Sequence, residues 1–276
     1  MTSRCGGLLP AASADARSSD DVIAFEGWTN VFSQAVFQVG DSVAIRKMPN
    51  LDVVVCATIT SIEGSITHLP VYLTLGDGGG ENCGGGKAAA AALGVGAMLI
   101  SSGDVVEPLS AVPRSVQISN NTFSNSRASG IILMANNAEV QNNLIENVSS
   151  AAIDAGGYWQ SFSEAPFGSN VTVANNRIHW PARGHRTVTG GAWGAGAAMR
   201  FGGTNAAQNT TELHRNISVT GNVVNTTSGM LAVQAVAVDG LQIRGNVFCL
   251  HGASANTNAS AAFHCRNVVD VGNGGC

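Results

Sequence analysis

Val116-Gln-Ile-Ser-Asn-Asn-Thr-Phe123 is echoed by Ala138-Glu-Val-Gln-Asn-Asn-Leu-Ile145 and again by Val171-Thr-Val-Ala-Asn-Asn-Arg-Ile178. Aligned on its middle apolar residue, the unit returns in Asn216-Ile-Ser-Val-Thr-Gly-Asn222 and Leu241-Gln-Ile-Arg-Gly-Asn246, so Ile118, Val140, Val173, Val219 and Ile243 are equivalent. Each is followed at the same offset by an asparagine, Asn121, Asn143, Asn176, Asn222 and Asn246, and these are spaced by 22, 33, 46 and 24 residues. A unit of this length cannot bury an apolar face by itself, so the repeat predicts units stacked on one another.

The unit is a strand followed by a corner. Apolar residues alternate within it (Val116 and Ile118, Val171 and Val173), which is strand period. Asn-Asn or Gly-Asn follows at once, and asparagine tolerates left-handed backbone and bonds its own main chain. A second short strand follows in Gly130-Ile-Ile-Leu133 and Ala151-Ala-Ile-Asp-Ala155. The expected fold is all-β, a right-handed parallel β-helix of the pectate-lyase-like solenoid type, with the corner asparagines laddered along its side. An antiparallel sandwich explains the recurring corner poorly.

Composition agrees. Only 12% of the 276 residues are charged, 34 are glycine, and polarity is carried by Asn, Ser and Thr. A net charge of −4 without a basic run makes nucleic acid and anionic membrane poor partners. The longest apolar run, Ala88 to Ile100, is too short to span a bilayer. None of the six cysteines has zinc-ligand spacing, so no metal is expected; Cys249 and Cys265 are one candidate pair between adjacent late coils. Sequons at Asn120, Asn147, Asn170, Asn209, Asn216, Asn225 and Asn258 suit a secreted protein, although an Asn-corner fold makes sequons by chance and no signal peptide is visible.

Along the chain, residues 1–17 are small and irregular. Residues 18–29, with Ser18-Ser-Asp-Asp-Val-Ile-Ala-Phe-Glu26, look like a short strand of an earlier coil. So little chain precedes it that the solenoid is expected to be N-terminally incomplete. The Asn rhythm then disappears over 30–110. Phe37–Arg46, with its Gly40-Asp41 turn signal, Val53–Thr60 and Val71–Leu75 predict an inserted small β-barrel or β-sandwich. Gly76–Lys87 is no phosphate loop, because Glu81 and Ala88 stand where that motif needs Gly and Ser/Thr. Residues 111–276 carry the β-helix, interrupted by excursions at Gly156–Ser169 and Trp180–Arg215. Binding and chemistry usually sit in such loops on a rigid scaffold.

The acids on one wall are Asp20, Asp21, Asp154 and Glu164. Asp154 aligns with Ile132 and should face outward. If the Asp20-Asp21 strand lies two coils below, the separation is roughly 10 Å, given about 4.8 Å per coil. Carboxylates about 6.5–9.5 Å apart suit inverting glycoside hydrolysis. Arg127, Arg200 and His214 are candidate substrate ligands, and Tyr158 and Trp159 a candidate sugar-stacking wall; each serves equally well as loop bracing.

In order along the chain, Asp20-Asp-Val-Ile-Ala-Phe-Glu-Gly27, Gly103-Asp-Val-Val-Glu-Pro-Leu109, Pro113 to Leu133, and His214-Arg-Asn-Ile-Ser-Val-Thr-Gly-Asn222 with Val238 to Asn246 resemble segments of bacterial α-1,3-galactosidases of glycoside hydrolase family 110. The resemblance implies an exo-acting, inverting hydrolase that removes terminal α-linked galactose from a glycan without a cofactor. It places Asp20 and Asp21 on the family's paired acids, Glu164 on the glutamate of its Trp-x-Glu-Ser-Gly loop and Arg127 on the first arginine of its Arg-Ala-Arg-Gly. Asp21, with Asp20, would activate water, and Glu164 would protonate the leaving oxygen. Ala24 and Glu26 stand where the family has Asn and His, and Ser129 where it has its second Arg. The family's Gly-Asp-Ala-Asn turn has no acid here, which leaves Asp154 as the nearest. Two other functions fit the same fold: a polygalacturonase-like hydrolase, whose Gly-His-Gly is absent at Gly184-His185-Arg186, and a non-catalytic carbohydrate-binding or surface solenoid.

Overall fold

The computed structural model describes residues 9–10, 22–25, 37–47, 52–65, 68–77, 105–111, 113, 115–156, 168–181, 196–202, 214–227, 230–251 and 259–276. These residues are all-β, with one short 3-10 turn at Leu109–Ala111, and among them no helix is long and apolar enough to cross a membrane. They fall into two compact units, 9–111 and 113–276.

The first unit is an antiparallel sheet of β1 (Leu9–Pro10), β2 (Val22–Phe25), β3 (Ser42–Lys47), β4 (Asp52–Ser65), β5 (His68–Asp77) and β6 (Val105–Pro108), in the order β1-β6-β3-β4-β5-β2. The Gly40-Asp41 signal marks a real turn: Gly40 has φ 93°, and the Asp41 carboxylate accepts from Gln38 N at 2.6 Å. Val43, Ile45, Ile59 and Val106 are fully buried, and Arg46 Nε donates to buried Glu107 at 2.7 Å. Register shifts near Ile59 and Glu63 allow so long a β4 to bend. Two boundaries drawn from the sequence change here. Leu9–Pro10 is a strand paired with Val105–Val106. Val22–Phe25, expected as a coil of the parallel stack, instead lies antiparallel to β5. Four apolar residues in a row carry no information about strand direction.

The second unit is built from parallel strands that visit three sheets in turn. The first circuit is β7 (Val116–Ser119), β8 (Thr122–Ser124), β9 (Ile131–Leu133). The second is β10 (Ala138–Gln141), β11 (Leu144–Glu146), β12 (Ile153–Ala155), and the third β13 (Ser169–Ala174), β14 (Arg177–His179), β15 (Ala197–Phe201). Next come β16 (His214–Thr220), β17 (Val223–Thr227), β18 (Leu231–Val236), then β19 (Val238–Arg244), β20 (Val247–His251), β21 (Ser260–Phe263), and last β22 (Val269–Val271) and β23 (Gly274–Gly275). Every third strand pairs in parallel, giving the sheets β7-β10-β13-β16-β19-β22, β8-β11-β14-β17-β20-β23 and β9-β12-β15-β18-β21.

The register turns sequence repeats into columns. Ile118, Val140, Val173, Val219 and Ile243 stack in the first sheet. Phe123, Ile145, Ile178, Val224 and Phe248 stack in the second, and Ile131, Ile153, Met199 and Val233 in the third. All but the first members, Ile118 and Phe123, are buried, and both of those pack against the same continuous core. Removing this apolar surface from water is the main stabilising term.

The corners between the first two sheets are polar and buried at once. Asn120, Asn142 and Asn175 hold φ 55–60° there, and Gly221, Gly245 and Gly272 take over in later circuits. The next residue is in each case the ladder asparagine. Asn176 Oδ1 accepts from Asn143 N and Nδ2, each at 3.0 Å, while its own amide donates to Val140 O at 2.9 Å and Asn222 Oδ1 at 3.0 Å. The same pattern links Asn121, Asn143, Asn176, Asn222, Asn246 and Asn273. A corner inside the stack therefore leaves its buried main-chain groups paired.

At the end of β15, Gly202 has φ +85°, and a Cβ there would stand 2.2 Å from Val236 O. Gly202→Ala is expected to cost about 3 kcal/mol or more, since it adds a backbone clash to a left-handed conformation. Gly245→Ala, at φ +61° with open space around it, should cost only about 1 kcal/mol. Denaturant midpoints compare the two. The disulfide of this unit joins Cys249 to Cys276, Cα atoms 5.0 Å apart; Cys265, the partner suggested by sequence, instead donates its thiol to Phe263 O at 3.3 Å.

Candidate functional site

The outer face of the five-stranded sheet changes character along the stack. Its outward column runs Ile132, Asp154, Arg200, Gln234, Ala261. Ile132 is 54% exposed, whereas Asp154 is 1% and Gln234 6% exposed. The sequence alignment of Asp154 with Ile132 is borne out by the register, and so is its outward side of the strand. Its burial was not legible, because a two-residue period says which face a side chain takes and not what lies over that face.

Asp154 and Arg200 meet on this face as a bidentate pair. Arg200 Nε donates to Oδ1 at 3.2 Å and Nη2 donates to Oδ2. Adjacent parallel strands place them side by side, and the guanidinium fork matches the carboxylate plane. Gln234 continues the polar row in β18, a strand otherwise made of Leu, Ala and Val. A polar residue amid Leu231-Ala-Val-Gln-Ala-Val236 is the signal that would have flagged it. In chain order, β12 and β15 border the connections between Ala155 and Ser169, between His179 and Ala197, and between Phe201 and His214.

The other sequence candidates do not converge on it. His214 is 1% exposed and its Nδ1 accepts from Gly168 N at 3.1 Å, which ties the start of β13 to β16. That bond requires an unprotonated Nδ1 and gives the ring a bracing role. Arg127 is exposed in the turn between β8 and β9. Asp20, Asp21, Tyr158, Trp159 and Glu164 lie outside the described residues. The spacing of roughly 10 Å between Asp20-Asp21 and Asp154 presupposed a shared sheet, and the strand after Asp21 belongs to the antiparallel one.

A second polar patch escaped the sequence reading. Trp180 takes φ 51° at the corner where earlier circuits carry Asn125 and Asn147. It is 40% exposed and stacks on His251 at 5.5 Å. Beside it, Asn225 Nδ2 lies 3.0 Å from His179 Nδ1, and its Oδ1 3.4 Å from His251 Nε2. A bulky residue in left-handed backbone is costly and concentrates at functional positions. The described residues include no cluster of three His, Cys, Asp or Glu able to hold a metal ion.

Compared with known families and curated proteins, the chain matches no family model and no curated protein.

Proposed function

We propose that the second unit is a right-handed parallel β-helix and that the protein is an exo-acting, inverting glycoside hydrolase acting on terminal α-1,3-linked galactose. The observation that supports a saccharide ligand is the polar row Asp154–Arg200–Gln234 on one outer sheet face, with Asp154 and Gln234 buried and Arg200 half-buried, two of its three strands adjoining the long connections in chain order. Three registered strands supply it, so its donors are rigid before ligand arrives, which is what oriented binding of a hydroxyl-rich ring requires. The galactose specificity, and the roles of Glu164 as acid and Asp21 with Asp20 as base, rest on the sequence resemblance. Asp154, already held by Arg200, serves this reading as a positioning carboxylate.

Galactose release from a Gal-α-1,3-Gal disaccharide tests it. Glu164→Gln is expected to lower kcat by about 10²–10⁴-fold with the fold intact, as for loss of a general acid. Asp154→Asn should raise KM more than it lowers kcat. Unchanged release by Glu164→Gln would remove that residue from the mechanism and move the acid role to Asp154.

A second reading, a non-catalytic carbohydrate-binding solenoid, is favoured by the exposed Trp180 with Asn225, His179 and His251, since an aromatic face beside amide and imidazole groups suits a pyranose ring. It predicts saccharide binding that survives Glu164→Gln and is lost in Trp180→Ala.

A further inference from the structure

The second of the three parallel sheets carries ionisable side chains that the proposed hydrolysis does not use. Its register forms one column of Ser124, Glu146, His179, Asn225 and Cys249, and a neighbouring one of Thr122, Leu144, Arg177, Val223 and Val247. At neutral pH the charged members of these columns are Glu146 and Arg177, one of each sign. The imidazoles of His179 and of His251, which meets Asn225 from the next strand, therefore decide the sign of this face.

Asn225 stands half-buried between the two rings. Its Nδ2 donates to His179 Nδ1 at 3.0 Å, and its Oδ1 accepts from His251 Nε2 at 3.4 Å. An amide nitrogen only donates and an amide oxygen only accepts, so His179 Nδ1 is bare here and His251 Nε2 carries a hydrogen. Imidazoles take up a second proton between about pH 8 and 5. His251 can do so at Nδ1 without losing Asn225. His179 cannot, because its new Nδ1–H faces the amide as a second donor, and one carbonyl does not serve two rings. Turning the amide over satisfies His179 and strips His251. In either orientation acid releases an imidazolium N–H to the face. Trp180, 40% exposed and stacked on His251 with ring centroids 5.5 Å apart, lies beside it as an apolar platform.

Taking Trp180 as the sugar platform of the carbohydrate-binding reading, we infer that this face binds a pyranose bearing a carboxylate in acid and releases it near neutral pH, with Asn225 as the positioning residue. At neutral pH the amide caps His179 Nδ1 and Glu146 offsets Arg177, so a carboxylate finds no net charge. In acid the released imidazolium N–H gives it a charge-assisted hydrogen bond while the ring keeps its contact with the indole. A neutral pyranose has only the indole and hydroxyl contacts, which pH leaves alone.

NMR titration of the full chain with glucuronic acid and with glucose, at pH 5 and pH 7.5, tests this. The acid sugar, ionised at both pH values, is expected to bind about tenfold more tightly at pH 5, and glucose to change less than about twofold. His179→Gln combined with His251→Gln keeps hydrogen-bonding groups and removes the titration, so it should abolish the ratio and leave glucose binding in place. Asn225→Asp gives both rings an acceptor and should likewise lose the gain at pH 5 without losing glucose. Should these variants not fold, the wild-type histidine titrations decide. Saturating glucuronate should raise the summed midpoints of His179 and His251 by about one pH unit, the linkage equivalent of a tenfold ratio. Midpoints that do not move, equal pH ratios for the two sugars, or a ratio that survives in the folded double variant overturn the inference and leave the carbohydrate reading standing. Absence of binding by both sugars at both pH values overturns the two together.

Discussion

Asn176→Ala is expected to destabilise the protein by roughly 3–5 kcal/mol, because each buried group left without its partner costs about 1–3 kcal/mol. The residue is 0% exposed, and its removal takes the acceptor from Asn143 N and Nδ2 and the donor from Val140 O and Asn222 Oδ1. Asn121→Ala, at the exposed start of the same ladder, should cost about 1 kcal/mol, as expected where solvent substitutes for the lost partner. Asn176→Asp separates shape from hydrogen bonding. Its carboxylate keeps the acceptor and loses both donors, and burial disfavours its charged form. The variant should therefore be less stable than Asn176→Ala at pH 7 and recover part of the loss as pH falls and the group is protonated. Equal unfolding midpoints for Asn176→Ala and Asn121→Ala would contradict the ladder account.

Arg200→Met carries the second large effect. It leaves Asp154, 1% exposed, without the guanidinium that faces it on the neighbouring strand, and breaking a buried pair in this way costs about 3–5 kcal/mol. Asp154→Leu combined with Arg200→Met should recover most of that loss, since the desolvation of both charges disappears with them. A double-mutant cycle in denaturant measures the coupling. A cost below about 1 kcal/mol for Arg200→Met would mean that solvent replaces the arginine, as at exposed pairs. The cycle bears on function as well. A carboxylate coupled this strongly to its neighbour is a clamp for the site, whereas one that proves thermodynamically independent is available for proton transfer.

The parallel stack was legible because two independent signals shared one spacing. The apolar anchors gave the columns, and the asparagine three positions on gave the corner, so register followed from either. The same rule contains the last circuit. Asn273 follows Asp270 as Asn246 follows Ile243, but an anchor sought only among apolar residues passes over an aspartate. Strand direction was not legible at Val22–Phe25, where no corner residue accompanies the apolar run. Cysteine pairing failed for a related reason. Cys249 and Cys265 lie closer in sequence, yet the strand that returns beside β20 is Gly274–Gly275, which delivers Cys276. Trp180 could not be found from composition, since its interest lies in a left-handed corner that sequence normally assigns to asparagine. Asp154 was found and placed on the correct side of its strand, while its pairing with Arg200 needed the register across a gap of 46 residues.

The configuration of the first sugar released tests the proposed function most directly. The wild-type chain, given a Gal-α-1,3-Gal disaccharide and followed by proton NMR from the first minutes, should release galactose whose initial anomer is β, because an inverting pair delivers water to the face opposite the α-linked leaving group. Initial α-galactose, or no galactose from a chain that folds cooperatively, would contradict the account.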